Sequence, residues 1–190
     1  MTLPFARTNL LDQLRQHSPS DGAERQHVEA TVRLVESEAD CFARTTFSPG
    51  HVTASAFIVD SGGRLLLHHH RRLDRWLQMG GHDEGEHDPM LAALREAREE
   101  SGLRDLLPIH PHDGILDVDV HRIPAGKNEP EHLHHDVRYL LATRSPECIA
   151  FDATESRALA FFSFDEAVTR LGEPSAARVI EKIRRALARS

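Results

Sequence analysis

The chain has 190 residues, 39% of them hydrophobic, and this length and composition favour one globular domain over a disordered chain or a fibrous repeat. Its 30 acidic and 23 basic side chains give a formal net charge of −7, which argues against a surface that holds nucleic-acid phosphates without specificity. The sequence contains two cysteines, Cys41 and Cys148, no signal-peptide-like apolar run at its start and no apolar window of membrane-spanning length. We therefore expect a soluble cytoplasmic protein without disulfides, whose partners include neither a membrane nor a specific nucleic acid.

The first 45 residues have the pattern of two helices. Apolar side chains recur there in two sets: Leu10, Leu11 and Leu14, then Val28, Val32, Leu34 and Val35. The segment 18–22, Ser-Pro-Ser-Asp-Gly, separates the two sets. We assign residues 1–45 to an N-terminal helical extension and residues 46–190 to the main domain. The N-terminal helices could dock or swap across a two-fold axis, so the sequence leaves a homodimer open.

From residue 51 the pattern changes to strands. Residues 51–60 and 64–68 are rich in β-formers and flank a Ser-Gly-Gly turn, which predicts a hairpin. A loop containing Trp76, Gly80 and Gly81 follows. The later elements predicted are strands over 114–123, 132–143 and 159–164, and helices over 165–171 and 174–188. Strands that alternate with helices indicate an α/β protein.

A helix is predicted from Asp88-Pro89 to Gly102, because an N-cap, an N1 proline and a terminal glycine stand in the expected order. On a helical wheel one face carries three glutamates: Glu96, Glu99 and Glu100. Their carboxylates repel one another, and a hard divalent cation such as Mg²⁺ or Mn²⁺ would compensate the charge. On the helix alone, a solvated acidic face is the alternative interpretation.

Residues 81–103, GHDEGEHDPMLAALREAREESGL, carry this helix and resemble the Nudix box, G-x5-E-x7-R-E-U-x-E-E-x-G-U, where U is a bulky aliphatic residue. The fixed positions that match are Gly81, Arg95, Glu96, Glu99, Glu100 and Gly102. The departures are His87 in place of the first glutamate, with Glu86 one residue earlier, Ala97 in place of the bulky aliphatic residue, and Met79 in place of the usual proline. The resemblance extends over residues 51 to 170, and the metal-binding trio is intact.

The resemblance implies the fold and the reaction of the family. The implied fold is the α/β Nudix fold, an α/β/α sandwich with a mixed sheet, the box helix on one side and the C-terminal helices on the other. The implied reaction is the divalent-metal-dependent hydrolysis of a nucleoside diphosphate linked to another moiety, so the substrate would be a small nucleotide-type molecule. Two rival interpretations are a catalytically silent Nudix-fold binding or regulatory module and, less favoured, a Nudix-fold isoprenyl-diphosphate isomerase. The isomerase needs a catalytic cysteine, and neither Cys41 nor Cys148 lies in the expected motif.

The resemblance also implies roles for the box residues. Mg²⁺ or Mn²⁺ would bind Glu96, Glu99 and Glu100, with the backbone carbonyl of Gly81 as a further ligand. Arg95 would orient the carboxylates through charge-assisted hydrogen bonds. The general base stays open, because members of the family draw it from the box helix or from a distant loop. The candidates are Glu99, Glu96, Glu155, Glu129 and Glu131.

The candidates for substrate binding are Arg71, Trp76, His82 and Arg138. Arg71 would bring positive charge towards an acidic metal site, although a plain basic loop explains it equally well. Trp76 would stack on a base or cap the core. Arg138 shares a predicted strand face with Asp136 and His134, and burial of the opposite, apolar face is the expected arrangement.

The sequence also contains 14 histidines, with clusters at residues 68–70 and between residues 132 and 135. Strand alternation places the outer two members of the first cluster on one face and the middle one on the other, so this triplet does not form a three-ligand zinc site. We expect one or two histidines to line the pocket beside the box and the others to be solvated.

Overall fold

The computed structural model describes residues 4–109, 114–150 and 153–189. The α-helices in these ranges are α1 (Phe5–Gln16), α2 (Gly22–Ser37), α3 (Pro89–Ser101), α4 (Phe164–Leu171) and α5 (Ala176–Leu187). The strands are β1 (His51–Val59), β2 (Leu65–His70), β3 (Arg75–Leu77), β4 (Met79–His82), β5 (Leu107–Pro108), β6 (Asp117–Ile123), β7 (His132–Ala142) and β8 (Ser156–Phe162). None of these helices has the length and apolar character needed to cross a membrane. Residues 1–3 of the predicted extension, and 110–113, 151–152 and 190 of the predicted main domain, lie outside the described residues.

The predicted pair of N-terminal helices is present as α1 and α2, with the break where the sequence places it. The Asp21 side chain caps α2 by accepting a hydrogen bond from the Glu24 backbone N–H at 2.8 Å. In α1, the Arg7 guanidinium donates a 2.6 Å hydrogen bond to the Val35 carbonyl near the end of α2. The leucines of α1 are buried in the same core as residues of the sheet, so the two helices are packed elements and not a loose arm. The division at residue 45 stays a prediction.

One mixed sheet forms the centre of the molecule, and β1 is its central strand. β1 runs parallel to β7 and antiparallel to β2 and β4. β2 also pairs with β3 and β8, and β7 with β5 and β6. The predicted hairpin is β1 and β2, and the expected mixed α/β sheet is confirmed.

Helices cover both faces of this sheet, and the alternation of side chains along β1 explains how. Val52, Ala54, Ala56 and Ile58 face one core, which they share with apolar residues of α1, α2 and α3. The residues that alternate with them near the end of the strand, Phe57 and Val59, face a second core with α4 and α5. The expected sandwich, with the box helix and the C-terminal helices on opposite sides, is therefore confirmed.

The expected loop before α3 instead contains the short strands β3 and β4. In β4, Gly80 lies opposite Ser55 of β1, and a Cβ on Gly80 would lie 2.5 Å from the Ser55 Cβ. Glycine therefore allows β4 to pair closely with β1 at this point. Glycine is depleted in strands, so local propensity favours a loop here and the pairing partner in β1 decides otherwise.

Candidate active site

Helix α3 is positioned by the signals that the sequence displays. The Asp88 side chain accepts a 2.9 Å hydrogen bond from the Met90 backbone N–H, Pro89 occupies the first turn, and Gly102 ends the helix in the left-handed conformation with φ 72°. The alanines of α3 are buried in the core it shares with β1: Ala92, Ala93 and Ala97. Small side chains on this face allow the helix to lie close to the sheet.

Two consecutive glycines in β4, Gly80 and Gly81, lie against two of the glutamates of α3. The Gly80 backbone N–H donates a 2.8 Å hydrogen bond to Glu100 Oε2. A Cβ on Gly81 would occupy the position of the Glu96 carboxylate, so the absence of a side chain there makes room for it. The carboxylates of Glu96 and Glu100 are thus held against the backbone of β4.

Arg95 organises the acidic residues around it. Its guanidinium lies 3.0 Å from Glu96 Oε1 and 3.0 Å from Glu99 Oε2, and it donates a 2.6 Å hydrogen bond to Glu86 Oε1. It also donates a 2.8 Å hydrogen bond to the His82 carbonyl. The guanidinium fork therefore fixes carboxylates of the helix and of the preceding loop in one arrangement.

The three glutamates of the predicted trio lie in different environments. Their side chains are 17% exposed at Glu96, 58% at Glu99 and 9% at Glu100. Burial raises the pKa of Glu100 to about 8, since the Gly80 N–H offsets the loss of water only in part and Glu96 adds negative charge. Burial likewise raises the pKa of Glu96, although Arg95 acts against it.

These environments fit a bound divalent cation. The donors are carboxylate oxygens beside a strand backbone, which is the oxygen-rich chemistry that Mg²⁺ and Mn²⁺ prefer. A cation at the trio would compensate the charge that disfavours ionisation of Glu100.

Two further predicted residues lie in neighbouring loops, Arg71 directly after β2 and Glu155 directly before β8. The Arg71 backbone N–H donates to the Glu155 carbonyl at 2.8 Å, and Arg71 Nε donates to the Ala153 carbonyl at 2.9 Å. The Glu155 carboxylate is close enough to contribute to the raised pKa of Glu100. Arg71 and Glu155 are both exposed.

Trp76 and His82 have other neighbours. The ring of Trp76 contacts Phe162 edge to face, with 4.8 Å between centroids, and the Arg170 guanidinium lies 5.3 Å from the Trp76 ring centroid. These contacts correspond to the predicted alternative in which Trp76 caps the core. The ring of His82 packs against two other histidines, while its carbonyl accepts the bond from Arg95.

Arg138 does not meet the carboxylate trio. Its side chain is 1% exposed. The carboxylates within ion-pair distance are Asp136 (3.0 Å), Glu173 (3.2 Å), Asp119 (3.3 Å) and Asp117 (3.5 Å). The sequence predicts that only the apolar face of β7 is buried, but both faces are buried in the structure. The face that carries Arg138 is covered by the segment before α5, where the Ser175 hydroxyl accepts a 2.9 Å hydrogen bond from Arg138.

The structure also brings Glu86 into the site, a residue to which the sequence assigned no role. Glu86, one position before His87, supplies a carboxylate to Arg95, whereas His87 has φ 53° and stacks on Phe42 with 5.6 Å between centroids. In the sequence, the presence of Glu86 directly before His87 is the signal that could have indicated this role for Glu86. The histidines expected to be solvated include several that are buried: His51, His68, His132 and His135.

Comparisons with known proteins agree with this fold. A family model described as the NUDIX domain matches residues 49–183. Among solved structures, a binary complex of a C. elegans Ap4A hydrolase is 19% identical over 73% of this chain and 98% of that chain, with a TM-score of 0.59. A NUDIX-family hydrolase from Clostridium perfringens is 29% identical over 70% and 96%, with a TM-score of 0.54. The E. coli dihydroneopterin triphosphate pyrophosphohydrolase is 19% identical over 69% and 92%, also with a TM-score of 0.54. The search of curated proteins gave no match.

Proposed function

The chain belongs to the Nudix family and is a hydrolase of diphosphate bonds, and we propose that it is a Mg²⁺- or Mn²⁺-dependent pyrophosphohydrolase of a nucleoside diphosphate linked to another moiety. One observation carries the metal dependence. Glu100 is buried with its carboxylate against the Gly80 N–H, and the Glu96 carboxylate lies over the neighbouring Gly81, so two carboxylates meet at the same strand backbone. A divalent cation at the trio would balance this charge, and a diphosphate supplies the further oxygen ligands that such an ion takes.

The proposed ligands are the carboxylates of Glu96, Glu99 and Glu100 and the carbonyl of Gly81. When bound, the ion would neutralise the diphosphate and acidify a water near it. Arg95 acts as a positioning residue, because its guanidinium holds Glu96 and Glu99 at 3.0 Å in the structure. Glu86 supports Arg95 from the loop side.

The general base is proposed to be an exposed carboxylate. Glu99 and Glu155 are exposed, whereas Glu96 is half-buried. A base must reach a water and release its proton to solvent, which favours Glu99 or Glu155 over Glu96. Replacing each by Gln and comparing the fall in kcat separates the two.

A substrate contact beyond the trio is proposed for Arg71. Arg71 is hydrogen-bonded to the loop that contains Glu155 and carries the positive charge that a polyanion needs. His82 is left out of the proposal because its ring packs against His51 and His134. Arg138 is left out of the proposal because its guanidinium is already paired with four carboxylates, and Trp76 because it packs under α4.

The test is a panel of nucleoside-diphosphate-linked compounds, including diadenosine polyphosphates, assayed for phosphate products with Mg²⁺ or Mn²⁺ and with chelator. We expect metal-dependent cleavage of at least one compound, and loss of roughly 10²-fold or more in Glu99→Gln and Glu100→Gln. Glu181→Gln, an exposed carboxylate on α5, is the control that keeps the wild-type rate. Activity of the two trio variants equal to wild type would refute the metal assignment, and a folded wild type inactive on the whole panel would favour the binding-module alternative.

A further inference from the structure

Three histidines from separate parts of the sequence meet on the face of the sheet that carries Arg138. His51 begins β1, His82 ends β4 and His134 lies near the start of β7. One ring nitrogen of each lies within 4.8 Å of the others. The ring centroids are 5.2 Å apart for His51 and His82, 4.7 Å for His51 and His134, and 5.0 Å for His82 and His134.

The sheet fixes the backbone positions of this triangle. His51 and His134 are direct partners in the parallel pairing of β1 and β7, and His82 pairs with Thr53, two residues along β1 from His51. The three side chains therefore project from neighbouring strands on the same face. A site built on strands is held more rigidly than one built on loops.

Hydrogen bonds to carbonyl oxygens determine which nitrogens carry lone pairs. His51 Nδ1 lies 3.1 Å from the Thr46 carbonyl, and His132 Nδ1 lies 2.8 Å from the Pro130 carbonyl. A carbonyl only accepts, so each Nδ1 carries the hydrogen and each Nε2 presents a lone pair. The Nε2 atoms of His132 and His134 are 3.1 Å apart, which makes His134 the donor of that bond. His134 then presents its own lone pair at Nδ1.

The lone pair of His51 finds no partner among the described residues. Its Nε2 is buried and without a hydrogen bond, and the residue is fully buried. A buried acceptor with nothing to accept costs free energy, which a bound cation would recover. A ring that donates its other N–H to a carbonyl is also the usual arrangement of a metal-binding histidine.

We infer that His51, His82 and His134 form a binding site for a transition-metal ion of the Zn²⁺ class, separate from the carboxylate site on α3. Imidazole nitrogen suits Zn²⁺, Co²⁺ or Ni²⁺ and not Mg²⁺, whereas the carboxylate trio has the opposite preference. With metal–nitrogen bonds of about 2.0–2.1 Å, tetrahedral ligands stand about 3.3 Å apart, so small side-chain rotations close the observed triangle. Both ring nitrogens of His132 are already hydrogen-bonded, so water completes the coordination.

The experiment measures Zn²⁺ and Co²⁺ binding to the full chain in excess Mg²⁺, by metal analysis after gel filtration and by the visible spectrum of bound Co²⁺. We expect one equivalent of Zn²⁺ per chain and the intense bands of tetrahedral Co²⁺. His82→Ala and His134→Ala should weaken binding by more than about 10²-fold, beyond the effect usual for a partner outside the coordination shell.

Two controls separate this site from the carboxylate trio. Glu96→Gln should keep the Co²⁺ bands, and so should His69→Ala, which removes a histidine outside the triangle. X-ray absorption of the Zn²⁺-loaded wild type should show imidazole scattering, and this readout needs no variant to fold. An oxygen-only shell, no retained equivalent, or unchanged binding in both histidine variants would overturn the inference.

Discussion

Glu96, Glu99 and Glu100 lie within five consecutive residues, yet each carboxylate has a distinct contact. Glu100 is held by a backbone N–H of β4, Glu96 by Arg95 and the space above Gly81, and Glu99 by Arg95 at the surface. Their positions relative to the sheet, and not their residue type, create this difference. A buried, a half-buried and an exposed carboxylate give a site that can hold a cation and still reach solvent.

Gly81 is predicted to be needed for metal binding, because its lack of a side chain leaves room for the Glu96 carboxylate. In Gly81→Ala the added methyl group would displace the flexible end of Glu96 while leaving the backbone pairing of β4 in place. We expect the Mg²⁺ concentration for half-maximal activity to rise by about 10-fold or more, with little change in the unfolding midpoint. Gly126→Ala is the control, because a Cβ there has no atom within 4 Å. Unchanged metal dependence in Gly81→Ala would contradict the proposed role of Glu96.

Among the helices, α3 is held in place by contacts at its C-terminal end as well as by the cap at its N-terminal end. Gly102 adopts φ 72°, and a Cβ there would lie 2.6 Å from the Ala150 carbonyl oxygen. The end of the helix is also joined to this segment by a 2.8 Å hydrogen bond from the Ala150 N–H to the Ser101 carbonyl. A single glycine thus sets both the end of α3 and its contact with the following chain.

Gly102→Ala should therefore destabilise the protein by about 1–3 kcal/mol, measured by urea unfolding at constant pH. Gly172→Ala is the matched control, since Gly172 ends α4 with φ 61° but its nearest Cβ contact would be 3.8 Å from the Thr169 oxygen. The difference between the two losses isolates the clash with Ala150 from the strain of the left-handed conformation. An equal or smaller loss in Gly102→Ala would show that the segment at Ala150 yields without cost.

The elements that sequence reasoning predicted well are those with local signals. α3 carries its own cap, N1 proline and terminal glycine, and the hairpin of β1 and β2 carries its own turn. β3 and β4 lack such signals, because they exist through pairing with β2 and β1. The sequence did not predict the triangle of His51, His82 and His134 for the same reason, because its members are distant in sequence and meet only through the register of the sheet.

For the whole molecule, buried charges connect elements on both sides of the sheet. Arg178 of α5 donates a 2.9 Å hydrogen bond to Asp117 of β6, and Lys182 of α5 bonds to Glu24 of α2. Glu24 is fully buried and also accepts a 2.7 Å hydrogen bond from His17. α2 and α5 are therefore joined through a carboxylate that has no access to water.

This network predicts an acid-dependent loss of stability. Burial alone would raise the pKa of Glu24, but hydrogen bonds from His17 and Lys182 outweigh it and bring the pKa below the usual 4.5. A group with a lowered folded-state pKa stabilises fully above its unfolded pKa and loses that contribution as the pH falls below it. Glu24→Gln should thus cost about 2 kcal/mol at pH 7, and the difference from wild type should shrink between pH 5 and pH 3.

Urea unfolding at several pH values measures this difference. Glu29→Gln, an exposed position on the same helix, should match wild type throughout. A cost for Glu24→Gln that stays constant down to pH 3 would show that the ionised carboxylate is not what joins α2 to α5.

The route of α2 past β6 has one further effect. His27 of α2 lies 3.4 Å from Asp119 on the face with α5, while Thr31 of α2 lies 3.1 Å from His135 on the opposite face, so the helix crosses the outer margin of β6. An uncovered margin would offer backbone groups to a strand from another molecule, the usual start of runaway edge-to-edge aggregation. Here α2 covers this margin and blocks such pairing. A shortened chain that begins after α2 would lose this protection together with the packing of α1.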